Sequence, residues 1–167
     1  TWVLTCASKA ASAALAVGAD EVATALQAEA GRRGLAVKLV RNGSRGLFWL
    51  EPLVEVTMPT GRIAYGPVTP EDVSGLLDAG LLHGGAHALR HGPTEQIPYL
   101  ALQERLTFRR MGVTDPLSLA AYEAHEGWAG LRRAANRAPE AIVQEVTRSG
   151  PRGRGGAAVP AGTQCGT

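Results

Sequence analysis

The first third of the chain shows two different spacings of hydrophobic residues. Short β-prone runs lie at residues 2–6 and 35–40 and predict two strands. Between them, from Ala19 to Arg33, apolar residues recur at helical spacing, with acidic residues in the first turn and arginines in the last. Gly34 follows as a helix-ending residue. This pattern predicts a β-α-β unit.

The next stretch predicts a hairpin followed by a helix. Residues 53–58 alternate in character, residues 59–62 form a turn, and residues 63–65 return as a second strand. Thr69 is placed as a helix N-cap, because a proline and two acidic residues come directly after it. The helix is expected to end near Leu82.

The order of these elements, β-α-β and then β-β-α, is that of a thioredoxin-like α/β domain, which we expect to occupy residues 1–83. A glycine-rich loop is predicted at 83–93 and an amphipathic segment at 98–111. Residues 84–148 are predicted to form a helical connector. Its short helices are expected at 117–125, 128–136 and 139–148. Four apolar residues of the connector are predicted either to be buried anchors or to contact a partner subunit: Leu100, Leu102, Leu106 and Phe108.

Composition excludes several classes of protein. The chain has 167 residues, of which 45% are hydrophobic, and its formal net charge is +2. This is enough apolar material for a core, and too little concentrated positive charge to predict a nucleic-acid partner. No apolar run is long enough to span a membrane, and the N-terminus does not resemble a signal peptide. The absence of an initial Met fits a trimmed chain or a fragment.

The cysteines and histidines do not predict a metal site. Cys6 and Cys165 lie near opposite ends, which suits a reducing, cytoplasmic protein better than a disulfide framework. His83, His87 and His91 would share one face of a helix and could bind a metal there. Glycines and a proline within the same stretch disfavour that helix, so solvated loop histidines are the alternative. No catalytic residue is predicted in this chain.

Residues 149–162 are the most distinctive stretch, because five glycines and two arginines are interspersed there. Glycine has no Cβ and allows a ligand to approach the backbone closely, and arginine supplies a fixed charge with a planar set of donors. The stretch therefore predicts a site for an anionic ligand, such as a phosphate. The alternative is a disordered Gly/Arg tail.

The sequence Ser-Gly-x-Arg-Gly-Arg-Gly-Gly-Ala at 149–157 resembles the flavin/NADH loop of NADH-dehydrogenase-type flavoprotein subunits. These include the complex I flavoprotein subunit and the diaphorase subunit of NAD-reducing hydrogenases. Five further stretches are similar to the beta subunit of NAD-dependent formate dehydrogenase, at 41–47, 50–56, 65–68, 103–108 and 112–118. The resemblance implies the N-terminal part of such a subunit, with residues 149–167 as the truncated start of an FMN/NADH-binding domain.

The resemblance also implies which residues would hold the cofactor. They are Gly153, Arg154, Gly155, Gly156, Ala157, Ala158 and Gly162. FMN and NAD are expected in the intact subunit, with a [4Fe–4S] cluster in a part beyond this chain, and no cofactor is expected on this chain alone. The implied partners are the catalytic alpha subunit and the small iron–sulfur gamma subunit of formate dehydrogenase. The alternative is a non-catalytic docking module of a formate dehydrogenase, hydrogenase or complex I-like assembly.

The chain departs from the family pattern at two places. The family's [2Fe–2S] ligands would fall on Cys6, Ala11, Ser44 and Phe48. Because only the first of these is a cysteine, no cluster is predicted in the thioredoxin-like domain. In the glycine stretch, the family's Phe, Thr and Lys are replaced by Val159, Ala161 and Gln164. These changes remove a stacking face and a positive charge, which leaves the affinity for FMN open.

Overall fold

The computed structural model describes residues 1–7 and 12–166. The contacts divide the chain into two compact units, Thr1–His125 and Glu126–Thr167. Ala11, one of the positions assigned to a cluster ligand, lies outside the described residues.

A five-stranded sheet forms the centre of the first unit. Its strands are β1 (Trp2–Ala7), β2 (Val37–Asn42), β3 (Val54–Met58), β4 (Gly61–Tyr65) and β5 (Arg90–Pro93). They lie side by side in the order β2-β1-β3-β4-β5. β1 pairs with β2 in parallel, and the other neighbours are antiparallel. The order of the first four strands is thioredoxin-like, so the predicted α/β fold class is confirmed.

Apolar residues on two of the helices pack against the sheet. The helices of this unit are α1 (Ser12–Ala16), α2 (Ala19–Arg32), α3 (Asp72–Asp78), α4 (Pro98–Ala101) and α5 (Leu119–Ala124). Short 3-10 turns lie at Phe48–Leu50, Leu81–His83 and Thr94–Gln96. Val22 and Leu26 of α2 pack with Leu76 of α3 and with sheet residues such as Leu4 and Tyr65 in the main core. The helix predicted from Ala19 is therefore confirmed, and its apolar spacing is the reason for its position.

The stretch predicted as a loop at 83–93 contains β5, so that prediction is wrong for residues 90–93. The segment pairs with β4 through backbone groups, and a bulge between Ala64 and Tyr65 accommodates it. Gly92 adopts a φ of 84°, a conformation that glycine permits. Residues 90–93 have few apolar side chains, so the hydrophobic pattern of the sequence did not indicate a strand there. The pairing with β4 is made by backbone groups.

The amphipathic segment predicted at 98–111 is mostly not helical, since α4 ends at Ala101. Leu100 is buried, but Leu102, Leu106 and Phe108 are 89%, 76% and 55% exposed. The prediction that all four are buried anchors is therefore wrong for three of them. The apolar residues recur at intervals of two and four, so they would not share one face of a regular helix.

The second unit is helical in its described part. It contains α6 (Ala129–Ala134), α7 (Pro139–Ser149) and α8 (Ala161–Cys165), and the first two confirm the helices predicted there. Gly150 ends α7 in the left-handed conformation, with a φ of 68°. The chain between α7 and α8 is the predicted glycine stretch. Among the described helices of the whole chain, none combines the length and the apolar character needed to cross a membrane.

Charged side chains join α2 to α3 at the surface of the first unit. Glu29 accepts hydrogen bonds from Arg32, at 2.5 Å, and from Arg33, at 2.6 Å. Arg33 also donates to Asp78 at 2.6 Å and to the Ser74 hydroxyl at 2.9 Å. The hydrogen bonds from Arg32 and Arg33 lower the pKa of Glu29 from 4.5 to about 2.

We expect the stabilising contribution of Glu29 to depend on acid pH. Because its folded-state pKa is depressed, the contribution is present above pH 4.5 and is lost as the pH falls towards about 2. Urea unfolding of the native chain and of Glu29→Gln should show a difference near neutral pH that shrinks through this window. A difference that stays constant, or an NMR-measured pKa of 4.5 for Glu29, would contradict the assignment.

Candidate functional site

The glycine stretch forms a closed loop between α7 and α8. The N–H of Gly153 donates to the carbonyl of Val159 at 2.9 Å, and the N–H of Ala161 donates to that of Pro151 at 2.8 Å. Arg152 and Pro160 form an isolated antiparallel bridge at the same place. These bonds join the two arms of the loop and leave residues 154–158 at its tip.

The tip of the loop is open to solvent. Arg154, Gly155, Gly156, Ala157 and Ala158 are exposed. A Cβ added to either glycine would have no heavy atom within 4 Å. Packing within this unit therefore does not require glycine at 155 or 156. Glycine at these two positions would let a ligand approach the backbone closely, which is consistent with the open space around them.

Gly162 has a different environment from the other predicted site residues. It is buried in α8, and a Cβ there would lie 2.2 Å from the Thr147 hydroxyl oxygen and 2.7 Å from the Thr147 Cα. Real Cβ contacts are not this short, so only glycine lets α8 pack against α7. Its position at this contact gives Gly162 a packing role in the second unit.

The loop could supply one wall of an FMN site. The exposed guanidinium groups of Arg152 and Arg154 are suited to a phosphate, and the backbone at Gly155 and Gly156 is accessible. Behind the loop, the described residues 126–166 provide helices and no sheet. The loop residues could therefore contact FMN from one side, but they would not enclose it.

A second polar site lies inside the first unit, where charged side chains are buried around Arg45. The Arg45 Nη2 atom lies 3.0 Å from Glu55 Oε1, and only 3% and 4% of these two side chains is exposed. The other terminal nitrogen of Arg45 pairs with Glu95 at 2.6 Å. Arg62 lies 3.6 Å from the second oxygen of Glu55. One buried carboxylate thus faces two guanidinium groups.

This buried cluster also binds the backbone of residues that follow the sheet. Arg62 donates to the carbonyl of Gly112 at 2.5 Å and to that of Val113. Arg105 donates to the carbonyl of Arg45 at 2.7 Å. Burial lowers the pKa of Arg62 from its ordinary value, while the neighbouring carboxylate of Glu55 opposes that shift.

The residues at the cluster-ligand positions do not fit a [2Fe–2S] group. Cys6 is buried and lines a cavity that has room for about one water molecule. The Ser44 hydroxyl donates to Glu51 at 2.9 Å and accepts from the N–H of Gly46 at 3.0 Å. Phe48 is 62% exposed. The donor set at the described positions has one thiol, whereas such a cluster needs four soft ligands.

The three histidines have separate partners. The His83 ring packs edge-to-face on Trp2, with the ring centroids 4.5 Å apart. His87 accepts a hydrogen bond from the N–H of Leu89, and the Nε2 atom of His91 lies 2.7 Å from the carbonyl oxygen of Gly66. Within residues 1–7 and 12–166, no group of three or more His, Cys, Asp or Glu side chains could hold a metal ion.

The buried charge cluster was missed at the sequence level, although one signal for it exists. Glu55 lies between Val54 and Val56 in a strand-like run, where an ionised side chain needs a buried partner. The sequence around Glu55 does not indicate which of the fifteen arginines is that partner. Arg45 and Arg62 reach Glu55 because the hairpin and the loop after β2 meet at this part of the sheet.

Comparisons with known proteins give partial matches. No protein-family model matches the chain. It is 42% identical over 64 residues to "NADP-reducing hydrogenase subunit HndC" of Solidesulfovibrio fructosivorans, a match that covers 38% of this chain and 13% of that protein. It is 49% identical over 45 residues to an NADH-quinone oxidoreductase subunit of Streptomyces coelicolor, covering 27% and 10%. The chain thus matches only a small part of the length of these relatives.

Among solved structures, the chain is similar to the thioredoxin-like [2Fe-2S] ferredoxin from Aquifex aeolicus. The wild-type structure is 20% identical with a TM-score of 0.44, and the match covers 55% of this chain and 96% of that one. A cysteine-to-serine variant of the same protein gives 22% identity, a TM-score of 0.45, and coverage of 55% and 99%. The first unit is thioredoxin-like in the order of its strands, β2-β1-β3-β4.

We expect Gly162→Val to destabilise the second unit by about 1–3 kcal/mol, because the new side chain would overlap Thr147. The matched control is Gly156→Val, where the space is open and the cost should stay within about 0.5 kcal/mol. Hydrogen exchange of the α7 amides measures both effects. Equal protection in the two variants would show that the contact between α7 and α8 does not require glycine.

We also expect this chain to form no [2Fe–2S] cluster after anaerobic incubation with iron and sulfide, because the described ligand positions offer one thiol. Iron and acid-labile sulfide analysis and visible absorption provide the measurement, with Cys6→Ser as the control that should behave identically. The expectation would be contradicted if the native chain bound stoichiometric iron and sulfide and the Cys6→Ser variant did not.

Proposed function

We propose that this chain is the N-terminal part of a flavoprotein subunit that passes electrons between FMN, iron–sulfur clusters and NAD. The observation that carries the proposal is the identity of over 40% to segments of two proteins named as subunits of an NADP-reducing hydrogenase and an NADH-quinone oxidoreductase. The resemblance of several stretches, including 41–47 and 103–108, to the formate dehydrogenase beta subunit supports NAD-dependent formate dehydrogenase as the parent enzyme.

In this proposal the glycine loop contributes one side of the FMN and NADH site. Bound FMN would supply the conversion between a two-electron hydride and single electrons. The backbone of Gly153, Gly155 and Gly156 allows the cofactor to come close, and the exposed Arg154 offers a charge-assisted donor to phosphate. Ala157 and Ala158 complete the exposed tip.

The remaining parts of the site belong, in this proposal, to portions of the parent subunit that this chain does not contain. They include the sheet behind the loop and the ligands of a [4Fe–4S] cluster. The catalytic alpha subunit and the small iron–sulfur gamma subunit are the proposed partners, in the cytoplasm. Leu102, Leu106 and Phe108 are exposed in the first unit and are candidates for contact with other parts of such an assembly.

A non-catalytic docking module is the second candidate. Two observations favour it: the described cluster-ligand positions hold a single thiol, and the glycine loop is backed by helices without a sheet in residues 126–166. Such a module would bind partner subunits of a formate dehydrogenase, hydrogenase or complex I-like assembly and would carry neither flavin nor activity.

The experiment is affinity isolation of the native complex from cells in which this chain is tagged on the chromosome. We expect bound FMN and formate-dependent reduction of NAD. If the complex binds FMN but reduces NAD with hydrogen and not with formate, the flavoprotein function is supported and hydrogen is the electron donor. Partner subunits without FMN or activity would instead establish the docking module.

A matched pair of variants then tests the loop itself. Gly156→Val should lower the FMN content of the isolated complex, because its side chain projects from the exposed tip. Gly130→Val, at another glycine with open space in the same unit, should leave the FMN content unchanged. Equal FMN content in the two complexes would show that the loop is not part of the flavin site.

A further inference from the structure

We infer that Arg45, Glu55 and Arg62 form an anchor that fastens residues 105–113 to the sheet, over the cavity that Cys6 lines. We call residues 105–113 the strap. The inference concerns the first unit alone and holds whether or not the parent protein binds FMN.

The two ends of the strap are tied down by arginines. At its start, Arg105 donates to the carbonyl of Arg45 at 2.7 Å. At its end, Arg62 donates to the carbonyl of Gly112 at 2.5 Å and to that of Val113. These bonds link the strap to the loop after β2 and to strand β4, which are far from it in sequence.

Hydrophobic burial contributes little to holding the middle of the strap. Leu106 is 76% exposed and Phe108 is 55% exposed, so two of its large apolar side chains remain largely in water. A segment held in place without that burial needs directional polar bonds, and charged donors give the strongest of these. The arginines at the two ends of the strap supply such bonds.

The contact between the strap and the loop after β2 is close. A Cβ on Gly112 would lie 2.6 Å from Arg45 Cδ, and a Cβ on Gly43 would lie 2.5 Å from Met111 Sδ. Gly112 also has a φ of 73°, which favours glycine. Backbone without side chains at these two positions lets the strap lie directly on the loop.

Glu55 holds the anchor together because it balances both arginines. Its carboxylate lies 3.0 Å from Arg45 and 3.6 Å from Arg62, and its side chain is 4% exposed. Glu95 also pairs with Arg45, but its side chain is 67% exposed. Removing the charge of Glu55 would leave two guanidinium groups without their buried counter-charge, which disfavours the closed state.

The anchor and the cavity share residues. Gly43, Arg45 and Glu55 line the cavity together with Cys6, whose residue surface is 1% exposed. The strap packs on Gly43 and Arg45, so it covers two residues of the cavity wall. Release of the strap should therefore open a path to Cys6, and the reactivity of this thiol reports the closed state.

The test measures alkylation of Cys6 by iodoacetamide in the full chain carrying Cys165→Ser, together with hydrogen exchange of the strap. We expect Glu55→Gln to raise the alkylation rate by at least about tenfold, since the loss of one partner of a buried ion pair favours opening. Exchange should increase in residues 105–113 and in the loop after β2, while β1 and β3 stay protected.

Two further variants make the result decisive. Glu29→Gln also removes a carboxylate that binds two arginines, but on α2, and it should leave Cys6 alkylation unchanged. Gly112→Ala should raise alkylation as Glu55→Gln does, because it forces the strap away from Arg45 without altering charge. It also serves as the test if Glu55→Gln does not fold.

The anchor would be overturned by a wild-type alkylation rate in Glu55→Gln and Gly112→Ala. An increase accompanied by equal loss of protection across β1 and β3 would overturn it as well, because it would mean global unfolding rather than release of the strap.

Discussion

Glu55 brings a carboxylate into the interior of the first unit, and a buried charge is stable only when it is paired and hydrogen-bonded. Its two partners come from the loop after β2 and from β4, so the hairpin and the parallel part of the sheet must meet at this point. The same two arginines also bind residues 105–113. Arg62 donates to the backbone carbonyl of Gly112, and the backbone carbonyl of Arg45 accepts a hydrogen bond from Arg105. The pairing of one carboxylate thus constrains three separate segments of the chain.

This arrangement gives the thioredoxin-like unit a polar interior near Cys6 where an iron–sulfur group does not fit. The cavity has room for about one water molecule, and charged or hydroxyl side chains such as Thr5, Arg45 and Glu55 line it. Under the proposed function, the first unit would then serve as a structural and docking part of a flavoprotein subunit. Electron transfer would use cofactors held elsewhere in the assembly.

Glycine has two different physical roles in this chain, and they are distinguished by surroundings rather than by sequence. Gly112 and Gly162 are needed because another group lies where a side chain would be: Arg45 in the first case and Thr147 in the second. Gly155 and Gly156 have open space around them, so packing gives no reason for them. The predicted FMN loop therefore contains glycines of both kinds, with Gly162 at the contact between α7 and α8 and Gly155 and Gly156 at the exposed tip.

The sequence by itself determined the β-α-β and β-β-α order, the helix from Ala19, and the position of the glycine stretch after α7. Hydrophobic spacing, caps and turn residues are local properties and can be read along the chain. Tertiary structure alone decided the pairing of β5, the exposure of Leu102 and Leu106, and the partners of Glu55. Each of these depends on segments distant in sequence, because backbone pairing and burial of charge are settled only when the folded chain brings the partners together.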